Sequence, residues 1–131
     1  MSTARDVFTQ LITGISAGRW TDLARLYAAD AVVEQPFFPG APHRLDGREE
    51  VAAHFAAAAE MPLELRATNV VVHETTDPGT IIAEFDYVGR VTTTGHTFRV
   101  ANIQVVHTRD GVIAATRDYH DHPRLAQALA S

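Results

Sequence analysis

The stretch TIIAEFDYVGRV, residues 80–91, has an apolar side chain at every second position from Ile81 to Tyr87 and is the clearest indication of the fold class. One face of this segment contains Ile81, Ala83, Phe85 and Tyr87. A period of two is typical of a strand, and we expect this face to pack against helices. Similar segments lie on either side and are separated by Asp-Pro-Gly, Thr-Gly and Asp-Gly turn sequences. The sequence therefore predicts an antiparallel meander with strands at 63–75, 80–92, 96–108 and 112–121.

Helical periodicity precedes the strands. Between residues 3 and 17 the apolar side chains recur on one helical face, and Gly18 follows as a stop signal. Thr21 is placed to cap a short second helix that ends before Asp30. We expect a strand at 31–37 after it.

A third helix is predicted in the middle of the chain. Asp46 and Glu49 resemble a capping box, and the helix that they open ends before Pro62. The Pro- and Gly-rich stretch before this helix predicts a loop of about ten residues, and its part at 39–45 is a candidate lid. Three N-terminal helices followed by hairpins indicate an α+β domain, with the helices covering one face of a curved, mostly antiparallel sheet.

Composition bounds the classes of function. The chain has 131 residues, which predicts a single domain over 1–131, and a formal charge of −5 that disfavours nucleic acid as a partner. Neither a membrane-spanning run nor a signal peptide is evident, so we expect no membrane association and a cytoplasmic location. The absence of cysteine excludes disulfides, thiol catalysis and thiolate metal sites.

The order of motifs along nearly the whole chain resembles the NTF2-like superfamily. The motifs are Trp20, Leu23, LYAADAV at 26–32, EQP at 34–36, Gly47, Val51, Phe55, DGVI at 110–113 and RDY at 117–119. The chain is most similar to SnoaL-like polyketide cyclases and ketosteroid isomerases, and EQPFFPGAP at 34–42 is also similar to phenazine-biosynthesis A/B-type proteins. The resemblance implies a cone-shaped fold with an apolar pocket that binds a small organic ligand. It also implies a homodimer formed through the outer face of the sheet.

The resemblance does not extend to the ketosteroid isomerase mechanism. Those enzymes shuttle a proton with an Asp in a Glu-Asp-Pro motif, and Gln35 stands at that position here. An amide is not a useful proton acceptor near neutral pH. Leu11 and Asn102 stand where those enzymes have a Tyr and a protonated Asp, and only Asn102 can donate a hydrogen bond to an oxyanion. Steroid isomerisation is therefore disfavoured.

The candidate catalytic residues are Asp118, His54 and His120. Asp118 matches an acid in the closing motif of the phenazine A/B-type proteins, and His54 matches their histidine. A carboxylate beside an imidazole performs acid–base chemistry near neutral pH without a cofactor. The alternatives stay open, because Asp118 can be a salt-bridged edge residue and His54 a partly buried helix residue.

The candidate substrate-binding residues share apolar or amide side chains on predicted inner faces. They are Gln35, Asn102, Phe85, Tyr87, Phe55 and Gln104. We expect no bound metal, because among the residues at 120–122 only His120 and His122 can share a strand face. No cofactor motif is present.

Two functions stay open at this point. One is a cofactor-free isomerase, cyclase or dehydratase that moves protons on a small, largely apolar metabolite. The other is a non-catalytic module that binds a hydrophobic ligand or serves for dimerisation.

Overall fold

The computed structural model describes residues 2–130, in which helices cover one face of a six-stranded sheet. The helices are α1 (Ala4–Ser16), α2 (Arg48–Ala59) and α3 (His122–Ala130), with two single 3₁₀ turns at Trp20–Asp22 and Ala24–Leu26. The strands are β1 (Tyr27–Gln35), β2 (His43–Asp46), β3 (Leu63–Glu74), β4 (Thr80–Val91), β5 (Thr97–Arg109) and β6 (Val112–His120).

The sheet is open and mostly antiparallel. Its strand order is β2-β1-β6-β5-β4-β3, and β1 pairs with β6 in the parallel direction. The other neighbouring strands are antiparallel, so β3 to β6 form the predicted meander. The expected α+β fold is confirmed, and each meander strand ends within two residues of its predicted bounds.

Helix α1 supplies the helical side of the core. Thr3 and Asp6 form a capping box at its start, because the Thr3 hydroxyl accepts from the Asp6 amide and the Asp6 carboxylate accepts from the Thr3 amide. Its buried face contains Ala4, Val7, Phe8, Leu11, Gly14 and Ile15. Phe8 packs edge-on against Phe85 of β4, with ring centroids 5.5 Å apart. This helix thus covers the strands that carry the inner polar residues.

The period of two sorts the faces of β4 as predicted, and the structure shows which row of β5 faces inward. In β5 the buried residues Val100, Asn102, Gln104 and Val106 alternate with more exposed neighbours. In β4 the buried row begins with Ile81, Ala83 and Phe85 and continues into half-buried Tyr87. The amides of Asn102 and Gln104 therefore lie on the inner face, among apolar side chains.

The predicted second helix is wrong. The segment forms two 3₁₀ turns, and β1 begins at Tyr27, four residues earlier than expected. Leu23 and Leu26 are three residues apart, a spacing that fits 3₁₀ turns as well as an α-helix. Tyr27 pairs with Ile113 of β6 and is therefore part of the sheet.

The Asp46 capping box is also wrong. Gly47 is the N-cap residue of α2 at φ +89°, a backbone conformation that favours glycine, and its amide donates to the Ala31 carbonyl at 2.7 Å. The Asp46 carboxylate binds Arg44, and the Asp46 amide donates to Glu50. Part of the predicted loop is instead β2, which pairs with the end of β1.

The sequence prediction missed α3. The Asp121 carboxylate accepts from the Arg124 amide at 3.2 Å, and Pro123 lies in the first turn, where a missing amide hydrogen is tolerated. Pro123 therefore lies in the first turn of a helix that follows the strand. Within residues 2–130, no helix is long and apolar enough to cross a membrane.

Candidate active site

The inner faces of β5 and β6 bring the predicted polar residues together. Cross-strand pairing places Gln104 opposite Asp118 and Asn102 opposite His120. Gln35 ends β1 on the same side, one residue after Glu34, which pairs with Arg117 of β6. Arg117 itself points to the exposed face. A solvated edge position for Asp118 is thereby excluded, since this residue is only 8% exposed.

The two oxygens of the Asp118 carboxyl group have different neighbours. Nε2 of Gln104 donates to Oδ1 at 2.8 Å, a short hydrogen bond between two buried side chains. Oδ2 lies 3.9 Å from Nε2 of His120, which is too far for a direct hydrogen bond. Gln104 thus fixes the orientation of the carboxyl group and leaves Oδ2 available to a third group.

His120 and His54 differ in their relation to Asp118. His120 is largely buried, and this burial lowers the pKa of its imidazole more than the negative charge of Asp118 raises it. His54 is exposed on α2, but partial desolvation of its ring still lowers its pKa, and the charge of Asp118 acts in the opposite direction. Among residues 2–130, His120 is the basic side chain within ion-pair distance of Asp118. His120 is therefore an electrostatic neighbour of Asp118 without a direct hydrogen bond, and His54 acts at longer range.

The orientation of Asn102 differs from the expected oxyanion donor. Its Nδ2 donates to the carbonyl oxygens of Val100 at 3.1 Å and Phe85 at 3.4 Å. Both amide hydrogens are thereby engaged, and Oδ1 is buried without a partner. Asn102 presents an acceptor to the interior.

Aromatic rings line the apolar side of this region. Phe85 packs edge-on against Tyr87 at 5.2 Å, and Phe55 lies 6.0 Å from Tyr27 and 6.4 Å from Trp20. The pKa of Tyr27 and that of Tyr87 are raised, first by burial and then by the charge of Asp118. Tyr27 was not among the predicted site residues, because the sequence placed it on a helix.

A histidine-rich rim lies beside the buried carboxyl group. The rings of His120 and His122 are 5.8 Å apart, and Phe38 lies 5.2 Å from His122 and 5.3 Å from His43. Sequence reasoning did not place His43 or Phe38 here, since their proximity depends on β2 and α3. Among residues 2–130, no three His, Cys, Asp or Glu side chains are arranged to hold a metal ion.

Two open depressions on the surface lie away from Asp118 and His120. The first, of about 460 Å³, lies between the end of α1 and strands β3 and β4 and is lined in part by Trp20, Leu65 and Arg66. The second, of about 530 Å³, lies beside the start of α1 and the β3–β4 turn. Asp118 lines neither depression. Its access to solvent is at the rim, where the side chains of Asp118 and His120 are 11% and 21% exposed.

The architecture is that of the NTF2-like α+β folds, in which helices pack on a curved, mostly antiparallel sheet. The SnoaL-like domain model matches residues 8–116, and the chain belongs to this family. An uncharacterised PhzA/B-like protein of Pseudomonas aeruginosa is 36% identical over 121 residues, which cover 92% of this chain and 83% of that protein.

Solved structures carry the same fold. A candidate isomerase from Bacillus subtilis superposes with a TM-score of 0.88 at 28% identity, covering 97% of this chain and 92% of that one. A candidate polyketide cyclase from Pseudomonas putida superposes with a TM-score of 0.80 at 18% identity, covering 98% of both chains. The second likeness concerns the fold alone.

Proposed function

We propose that the protein is a cofactor-independent enzyme that moves a proton on a small, largely apolar metabolite, as an isomerase, cyclase or dehydratase does. The observation that carries the proposal is the buried Asp118 carboxyl group, held by Gln104 through one oxygen and facing His120 with the other. This arrangement supplies an oriented acid or base beside a second titratable group.

Asp118 and His120 have complementary roles in this proposal. Gln104 occupies Oδ1, so Oδ2 is the atom that accepts or returns the substrate proton. Burial lowers the pKa of His120, which keeps its imidazole neutral near pH 7 and able to give or take a proton. The separation of 3.9 Å leaves these groups apart in the free protein, and catalytic contacts often tighten when substrate binds.

Most of the other predicted residues contact the substrate in this proposal. Phe85, Tyr87 and Phe55 supply apolar contact surface, and Gln35 contributes a buried amide at the end of β1. His54 acts as a nearby titratable group on α2. The ketosteroid isomerase mechanism stays disfavoured, because Gln35 is an amide and Leu11 is buried in the apolar core.

The test is proton transfer in deuterated water. The purified protein is incubated with a panel of cyclic ketones and amino ketones, and NMR follows both deuterium incorporation and any rearranged product. We expect wild type to accelerate at least one member, and Asp118→Asn to lose this acceleration by about 100-fold or more. Asp110→Asn removes the same charge in the β5–β6 turn, at φ +55°, which Asn tolerates. Equal rates in Asp118→Asn and wild type would contradict the proposal.

A second function rests on a different observation. The outer face of the sheet exposes Val71 at 50% and Ile103 at 43%, which both neighbour Glu84 across the strands, and exposed apolar surface is typical of an interface. We propose that two copies of the chain associate through this face. If no panel compound reacts, a ligand-binding or dimerisation module becomes the better account.

A further inference from the structure

The polar side chains on the inner faces of β5 and β6 offer hydrogen-bond acceptors. Asn102 is 4% exposed, and its two donor hydrogens are committed to the carbonyls of Val100 and Phe85. These contacts fix which end of the amide is nitrogen, since the reverse orientation would place an oxygen against two oxygens. Oδ1 of Asn102 is therefore an acceptor without a protein partner.

His120 adds a second acceptor. In a neutral imidazole one ring nitrogen carries the hydrogen and the other is an acceptor. Nδ1 is buried and has no partner in residues 2–130, and Nε2 makes no hydrogen bond to Asp118 at 3.9 Å. Because Asn102 and His120 are cross-strand partners, their acceptor atoms belong to one region of the inner face.

The charge of this region is negative. Asp118 contributes a carboxylate, and no arginine in residues 2–130 forms an ion pair with it. The pKa values of His54, His120 and His122 are all lowered by burial, so these rings do not supply a positive charge near pH 7. A buried carboxylate without a countercharge is unfavourable, and a cation that enters the site relieves this.

We propose that the ligand of this site is a protonated amine on a compact apolar skeleton, with its ammonium group held by Asp118 Oδ2 and with Asn102 Oδ1 and a ring nitrogen of His120 as further acceptors. An ammonium group offers several N–H donors to these acceptors and neutralises the carboxylate. The rings of Phe85 and Tyr87 suit both the apolar skeleton and a nearby cation. This inference rests on the proposed small-molecule function and names its substrate class.

The experiment compares three probes with one skeleton: benzylamine, benzyl alcohol and benzoate. Binding is measured by calorimetry and by NMR shifts at about pH 7.5, where the amine is protonated. We expect wild type to bind benzylamine at least about tenfold more tightly than benzyl alcohol, and benzoate most weakly. Asp118→Asn is expected to remove the preference for the amine, whereas Asp110→Asn retains it.

The outcomes separate this inference from the proposed function. Benzyl alcohol or benzoate binding as tightly as benzylamine overturns the amine assignment, as does an amine preference that persists in Asp118→Asn. If Asp118-dependent proton transfer occurs on ketones that lack nitrogen while benzylamine fails to bind, the proposed function stands and the amine assignment falls. If no probe binds and no panel compound reacts, both fall.

Discussion

The hydrogen bond from Gln104 to Asp118 makes a quantitative prediction about stability. Gln104→Leu removes the donor to a buried carboxylate, and the bond is short, at 2.8 Å, between two residues that are at most 8% exposed. Hydrogen bonds to charged groups contribute about 1.5–3 kcal/mol, so we expect a loss of about 2 kcal/mol in the free energy of unfolding. For a domain of this size, that loss moves the urea midpoint by about 1 M.

A double-mutant cycle assigns this loss to the pair. In an Asp118→Leu background the carboxylate is gone, so Gln104→Leu is expected to change stability little, giving a coupling of about 2 kcal/mol. The exposed pair Arg109–Asp30, at 2.7 Å, is the matched control, and we expect a much smaller coupling there. Equal destabilisation of both backgrounds by Gln104→Leu would contradict this coupling, because the loss would then arise from packing.

Three other perturbations have defined outcomes. A Cβ at Gly89 would lie 2.2 Å from the Phe98 ring, so Gly89→Ala should destabilise the protein by about 1–3 kcal/mol in urea titrations; an unchanged midpoint would contradict the packing. Burial lowers the folded-state pKa of His120, so the unfolded chain binds more protons and stability falls as the pH drops through about 6.5. His120→Gln should flatten this decline between about pH 7 and 5, whereas the exposed His96→Gln should not, and equal slopes in the two variants would be evidence against the assignment. Ile103→Arg places a charge on the outer face, and analytical ultracentrifugation should show a dimer in wild type and a monomer in the variant; a monomeric wild type rules out this interface.

The strand faces were predictable because their periodicity is local. Alternation along β4 placed Phe85 on the inner face, and the meander order placed β6 beside β5. In β5 both rows contain apolar residues, so alternation alone did not decide which row faces inward. The period of two put Asp118 and His120 on one face of the last strand, and the RDY motif at 117–119 singled out Asp118. A sheet with one buried face fixes such registers strongly, since a slip of one residue would expose the apolar row.

The rest of the site depended on tertiary contacts that local patterns do not encode. Tyr27 lies near the site because it pairs with Ile113 of β6, although the spacing of Leu23, Leu26 and Tyr27 is typical of a helix. His43 lies near the site because it is part of β2, a short strand in a Pro- and Gly-rich segment that the sequence predicts as a loop. The acceptor role of Asn102 depends on which backbone carbonyls face its amide, and that is set by the β4–β5 register.

A crystal structure with the tightest-binding compound of the ketone and amine panels tests whether Asp118 is the reactive acid or base. We expect a polar atom of the ligand to lie about 2.6–3.2 Å from Oδ2 of Asp118, with Gln104 still donating to Oδ1. A ligand bound instead in the depression beside Trp20 and Arg66, with Asp118 uncontacted, would contradict the assignment of Asp118 as the reactive acid or base.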